Sequence, residues 1–191
     1  MKIVINKLDT RYGCLSNFYK RPFTYDGRIY GNAEAAFQSM KTDNPTERDK
    51  FSSLSPTDAK RLGRQEHLVP DWEQIKYEVM VDILTAKFSE HEYLKTILLE
   101  TKDALIVEET TWHDNCWGYC TCPRCRCKNS TNLLGRALME VRSTLSGNPN
   151  CAKFKLAGKE FYIDFDSEEF NELEKSENGA FILDKVWRYA E

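Results

Sequence analysis

A chain of 191 residues and 22.3 kDa is long enough for one well-buried core and too short for two full-sized domains. With 41% hydrophobic and 30% charged residues and a formal net charge of -3, it has the composition of a folded soluble protein. It offers no global positive field to hold a phosphate backbone, which disfavours non-specific nucleic-acid binding. The opening Met1 to Lys7 places only three apolar residues in a row, far short of a signal-peptide core or a membrane span, so no membrane association is expected and the expected location is cytoplasmic.

In chain order, Phe23 to Tyr30 is two aromatic-rich runs around Asp26-Gly27, a dipeptide suited to the positive backbone angles of a tight turn, and predicts a hairpin. From Asn32 the pattern turns helical through Lys41, with Ala33, Ala36, Phe37 and Met40 as an apolar stripe. Pro70-Asp71-Trp72-Glu73-Gln74 resembles a capping box and predicts a helix start near Asp71, with Ile75, Val79, Ile83 and Ala86 on one face. Ser89 followed by Glu92 suggests another capped start, with Leu94, Ile97 and Leu98 buried. Ala104 to Val107 fits a buried strand leading into Glu108 to Trp112. Asn132 to Val141 has helical periodicity, and Gly147-Asn148-Pro149-Asn150 ends it. Beyond that turn, Phe154 to Asp164 reads as a hairpin around Ala157-Gly158-Lys159, and Ser167 to Lys175 as a short helix with Phe170 and Leu173 inward. The expected fold is therefore α+β: a single compact, mainly helical domain over 1–147 with small sheets or hairpins, carrying a β-hairpin and helix extension over 148–191 that is too small to fold alone.

Chemistry-bearing residues gather in a few places. On the Asn32 to Lys41 helix, Glu34, Gln38 and Lys41 stand at i, i+4 and i+7 and share one face, which is also what an ordinary solvated helix presents. Leu62-Gly63-Arg64 offers a guanidinium beside a glycine. Trp112 to Gly118 packs two tryptophans around Asp114, which suits either a pocket that stacks a flat base or an aromatic corner with Asp114 capping a turn. His113 reads as a surface or packing residue, and His67 and His91 as incidental. Of seven cysteines, Cys120, Cys122, Cys125 and Cys127 crowd one loop, which in a cytosolic chain points to a metal or to plain thiols before a disulfide framework.

The ordered set Ser16-Asn17-Phe18, Pro22-Phe23, Asp26-Gly27, Glu34 with Phe37-Gln38 and Lys41, Gly63-Arg64, Asp71-Trp72, Ala86-Lys87-Phe88, Asp114 with Trp117-Gly118, Asn132 to Gly135 and Val141-Arg142 resembles the NADAR, or YbiA-like, family. The resemblance runs from about Tyr12 to Leu145. It implies a hydrolase that cleaves an N-glycosidic bond between a phosphorylated ribose, as ribose phosphate or ADP-ribose, and a nitrogen base. ADP-ribosylated guanine and riboflavin-pathway intermediates are the substrates it suggests. By the same resemblance Glu34 is the principal catalytic carboxylate and Asp114 the second acidic group, while Asn17, Phe18, Gln38, Lys41, Arg64, Trp72, Trp117, Gly118 and Asn132 contact substrate. No cofactor is required for that chemistry, and the partner is a nucleotide-like small molecule or an ADP-ribosylated nucleic acid.

Two departures from the family pattern stand out. Ala35 and Ala36 follow Glu34 where relatives commonly carry a histidine and an aromatic, which leaves Tyr25, Tyr30 or Tyr119 to supply a missing side chain. The loop after Gly118, often glycine-rich in relatives, holds the cysteines here; four within eight residues are crowded for one structural zinc unless the loop wraps tightly or Cys116 substitutes. Three other readings use the same residues. A non-catalytic ADP-ribose or NAD-binding module makes no demand on Glu34, a zinc-knuckle nucleic-acid binder would use Arg124, Arg126 and Lys128, and a cysteine enzyme would pair Cys116 with His113.

Overall fold

A computed structural model describes residues 1–5, 10–125 and 128–191. The chain forms two compact units, Met1–Lys7 with Leu98–Glu191 and Leu8–Ile97, so the division falls inside a helix rather than at the Gly147 turn. Residues 148–191 accordingly belong to the same unit as 98–147. The content is α+β and mainly helical, as the sequence predicts.

In the unit ending at Ile97, strands β2 (Phe23–Tyr25) and β3 (Arg28–Tyr30) form the expected antiparallel hairpin, with Phe23 paired to Tyr30. Asp26 and Gly27 both take positive φ, 49° and 71°, the requirement that the Asp-Gly dipeptide meets. Helix α1 (Ala33–Ser39) starts where Asn32 Oδ1 accepts the Ala35 amide at 2.8 Å. All seven of its residues are buried, so the Glu34 and Gln38 face is an interior one.

Helices α2 (Pro45–Phe51) and α3 (Pro56–Gly63) were not read from the periodicity. Their signal is local: Asn44 and Ser55 cap them, each followed by proline in the first turn, where a missing N–H costs nothing. Phe51 and Ala59 carry their buried sides.

Helix α4 (Trp72–Glu90) starts as predicted but not for the predicted reason. Asp71 has φ 59° and makes no side-chain cap, so there is no capping box. The buried face runs through Trp72, Met80, Ile83, Leu84, Lys87 and Phe88, whereas Ile75 is 37% exposed. Trp72, which packs on Phe37, joins this face, and of the predicted stripe Ile83 is the fully buried member. Ser89 lies inside this helix, and α5 (Glu92–Leu99) begins at Glu92 with Leu94, Ile97 and Leu98 buried as expected.

The other unit is built on a parallel sheet in the order β1-β4-β5, from β1 (Lys2–Ile5), β4 (Leu105–Thr110) and β5 (Tyr119–Cys120). Helix α6 (Leu133–Ser146) packs on β4 and ends at Gly147, with φ 71°. Then come the predicted hairpin, β6 (Cys151–Leu156) with β7 (Lys159–Asp164), and α7 (Glu168–Lys175) capped by Ser167. Helix α8 (Gly179–Tyr189) was not predicted; it buries Leu183, Val186 and Trp187.

The segment after Gly147 is stitched to the rest of its unit. Buried Arg142 donates to Thr101 Oγ1, the Ala104 carbonyl and the Cys151 carbonyl at 2.8 to 3.0 Å. Arg188 of α8, paired with Asp184, donates to the carbonyls of Cys120 and Lys128. No helix among the described residues is long and apolar enough to cross a membrane.

Candidate active site

In the unit ending at Ile97, Glu34 is 6% exposed and Gln38 5%, because α3 and α4 cover α1. One turn separates them, and Gln38 Nε2 donates to Glu34 Oε1 at 2.9 Å. Asn17 accepts the Glu34 backbone N–H on its own carbonyl at 3.1 Å and donates its side-chain amide to Met80 Sδ at 3.4 Å. The side-chain oxygens of Asn17 and Gln38 are buried and have no hydrogen-bond partner among the described residues. Two such acceptors next to one carboxylate leave hydrogen-bonding capacity that a bound polar ligand would satisfy.

Lys41 is coupled electrostatically to the same group. Lys41 Nζ donates to the Gly63 carbonyl at 3.2 Å, and burial lowers its pKa, an effect that Glu34 opposes and that Lys60 and Arg64 reinforce. Arg64 is exposed at the end of α3, and Lys60 stands one turn before it with Nζ 5.9 Å from the Phe18 ring. Lys60 was missed in the sequence, although its i, i+4 spacing to Arg64 was visible. Gly63 is where α3 comes closest to α1: a Cβ there would lie 2.0 Å from Gln38 Oε1 and 2.9 Å from Gln38 Cβ.

Asn17 and Phe18 owe their position to a residue that the sequence offers only as part of the family pattern, with no role attached. Lys87 is fully buried on α4 and donates to the carbonyls of Cys14 at 2.7 Å and Ser16 at 3.1 Å. A lysine on the apolar face of a helix, three residues before its end and beside Phe88, is the signal that could have found it. Trp72, expected at the substrate, is 4% exposed and tilted against Phe37 with ring centroids 5.2 Å apart.

In the other unit, Asp114 Oδ1 accepts the amides of Cys116 at 3.1 Å and Trp117 at 2.9 Å, so this carboxylate caps a turn whatever else it does. Trp117 is half-buried, whereas Trp112 is 56% exposed. Gly118 lies flat on β4, where a Cβ would meet the Glu108 carbonyl at 2.4 Å. Asn132, fully buried with φ 51°, accepts the Glu108 amide and donates to the Ile106 carbonyl, clamping the start of α6 to β4. Both ends of its side chain are thus bonded to the scaffold.

The tyrosines are placed as follows. Tyr30 accepts the Ser39 hydroxyl at 2.9 Å, Tyr119 donates to Glu109 at 2.8 Å, and burial pushes Tyr25 up to about 12. Among the described residues the group that meets is His113, Cys120, Cys122 and Cys125, with ligand atoms within 4.8 Å of one another, and Cys116 is not part of it. Cys127 and Arg126 lie outside the described residues.

A buried carboxylate held by an amide and coupled to Lys41, which in turn feels the charges of Lys60 and Arg64, is equipment for acid and base chemistry on an anionic ligand. The NADAR domain model matches residues 5–146, and the chain belongs to the NADAR family. It is 36% identical over 142 residues to "N-glycosidase YbiA" of Escherichia coli, covering 71% of this chain and 82% of that protein. It is 29% identical over 151 residues to "N-glycosidase Npun_R5314" of Nostoc punctiforme, covering 76% and 93%. The NMR structure of E. coli YbiA superposes with a TM-score of 0.65 at 34% identity, covering 76% of this chain and 84% of that one.

Proposed function

We propose that this protein hydrolyses the N-glycosidic bond between a phosphorylated ribose, as ribose phosphate or ADP-ribose, and a nitrogen base, with Glu34 as the catalytic carboxylate. The carrying observation is the buried Glu34 fixed by Gln38 and coupled to the charge of Lys41, which Lys60 and Arg64 also influence. Relatives named as N-glycosidases support the reaction class, and two proteins with NADAR-like similarity, from Arabidopsis thaliana and Vibrio vulnificus, carry riboflavin-biosynthesis names.

Breaking the C1–N bond leaves positive charge on the sugar and an electron pair on the base nitrogen. Water supplies the hydroxyl to C1 and, after proton transfer, the hydrogen to the base. A carboxylate near C1 stabilises the oxocarbenium-like charge and orients that water. Lys41 and Arg64 suit the phosphate, one as a mobile point charge and the other as a planar fork. The unpartnered Asn17 and Gln38 oxygens are acceptors for ribose hydroxyls or base N–H groups.

The test is incubation of purified protein with riboflavin-pathway intermediates, NAD, ADP-ribose and ADP-ribosylated guanine DNA, following free base and ribosyl phosphate by mass spectrometry. Release that disappears in Glu34→Gln is the expected outcome. Tight binding of these compounds without release by the wild type would instead favour a binding module.

A further inference from the structure

We propose that His113, Cys120, Cys122 and Cys125 form a closed, tetrahedral zinc site that braces the loop carrying Asp114 and Trp117. The four ligand atoms lie within 4.8 Å of one another, three from the Cys120 to Cys125 loop and one from His113. His113 Nδ1 is 3.1 Å from Cys122 Sγ and 3.4 Å from Cys125 Sγ. Zinc bonds of about 2.3 Å to sulfur and about 2.0 Å to nitrogen, at tetrahedral angles, put ligand atoms roughly 3.5 to 3.8 Å apart. The two histidine distances fall just below that range and the 4.8 Å limit lies about an ångström above it, so the group is gathered within an adjustment of metal-binding geometry. All of these sulfurs are free thiols despite their proximity.

The crowding that tells against four clustered cysteines is relieved by the histidine. Cys120, Cys122 and Cys125 are separated by one and two residues, and a 3-10 turn over Pro123–Cys125, closed by the Cys125 amide on the Cys122 carbonyl, curls them around a common point. The fourth ligand comes from seven residues upstream, where φ of 69° at His113 turns the chain back on the loop. Three thiolates and an imidazole are a soft to borderline donor set, which selects zinc over magnesium or calcium. Four protein ligands leave no open position, so the role is structural.

The surroundings are those of a thiolate site. The His113 amide points at Cys120 Sγ at 3.3 Å, and the Cys120 amide is held by Asn115 Oδ1 at 3.0 Å. Three thiolates on one divalent ion leave a net negative charge, and Arg188 supplies a cation just outside. It donates to the carbonyls of Cys120 at 2.8 Å and Cys125 at 3.4 Å while paired with Asp184 at 2.8 Å. Ser130, which follows the loop, hydrogen-bonds the same Asp184. Such outer partners fix the loop and tune the ligands.

The experiment is elemental analysis of the full chain purified under reducing conditions without added metal, followed by cobalt exchange. One zinc per chain is expected, and the cobalt form should show the visible bands and near-ultraviolet charge transfer of tetrahedral thiolate coordination. His113→Ala and Cys122→Ser should lose the metal, His113→Cys should restore it, and Cys116→Ser should retain it. Metal-free wild type that also takes up no cobalt overturns the site, as does iron in place of zinc. Full occupancy in His113→Ala overturns the ligand set. None of these readouts depends on catalysis, so the site stands or falls apart from the glycosidase reading.

Discussion

Gln38 donates its side-chain amide to the Glu34 carboxylate across 2.9 Å, and both residues are buried on the same helix. The pair fixes the carboxylate in one rotamer before any ligand arrives, which is what a positioned acid or base requires. Replacing Glu34 with Gln keeps the size and one acceptor oxygen but removes the charge. Turnover should fall by roughly 10²- to 10⁴-fold with the melting temperature nearly unchanged. Near-normal turnover in a folded variant would remove Glu34 from the mechanism.

Gly63→Ala tests the pair from outside it. The added methyl would sit 2.0 Å from Gln38 Oε1 and 2.9 Å from Gln38 Cβ, too close for the side-chain tip alone to yield. Overpacking of this kind costs about 1 to 3 kcal/mol, and a displacement near 1 Å at a catalytic group costs on the order of 10²-fold in rate. Activity should therefore drop more than stability does, read as kcat beside the denaturant midpoint. Equal activity in wild type and variant would mean that Gln38 does not position Glu34.

Lys41→Met and Arg64→Gln are expected to raise KM more than they lower kcat, because a phosphate contact is made alike in ground and transition states. Steady-state kinetics on whichever substrate the panel reveals will separate the two parameters. A fall in kcat at constant KM would place either residue at the reacting bond instead.

Asp114→Asn separates the two uses of this side chain. Asparagine retains the oxygen that accepts the Cys116 and Trp117 amides, so the turn survives while the charge is lost. A catalytic role predicts a large loss of turnover with Trp117 fluorescence unchanged. Unaltered kinetics would assign Asp114 to the turn alone.

Lys87 makes stability depend on pH. Burial lowers its ammonium from 10.5 to about 8, with a small opposing contribution from Cys14. Between these values the unfolded chain holds a proton that the folded chain has released, so stability rises with pH across the window. The gain is full above about 10.5 and is lost as pH falls through about 8; its upper size is on the order of 3 kcal/mol. In urea midpoints taken through this range, the stability of wild type minus that of Lys87→Met should increase as pH rises. Parallel curves would show that Lys87 titrates normally.

Local chemistry was legible in the sequence and burial was not. The Asp26-Gly27 turn, the Asn32 start of α1 and the Ser167 start of α7 are set by residues adjacent in the chain. The buried face of α4 was only partly legible because Trp72 and Lys87 join it through contacts with Phe37 and with the Cys14 and Ser16 carbonyls, far away in sequence. Glu34 was visible as one of three polar residues on a face, but only packing makes that face interior. Helix α8 gave no capping signal, since Asn178 makes no side-chain cap and the helix opens on Gly179. His113 was set aside because a single histidine carries no pattern until a left-handed residue swings it onto the cysteines.

Arg188 meets the Cys125 carbonyl across 63 residues of chain. During synthesis, therefore, the cysteine loop leaves the ribosome well before the guanidinium that will hold its carbonyls has been made. The loop passes through an interval in which thiols are presented without their outer cation, and oxidation or capture of a wrong metal is then easiest. Under the zinc proposal, metal supply during translation, rather than afterwards, would set the yield of correctly folded chain, and a nascent chain stalled before α8 would be the species most sensitive to it.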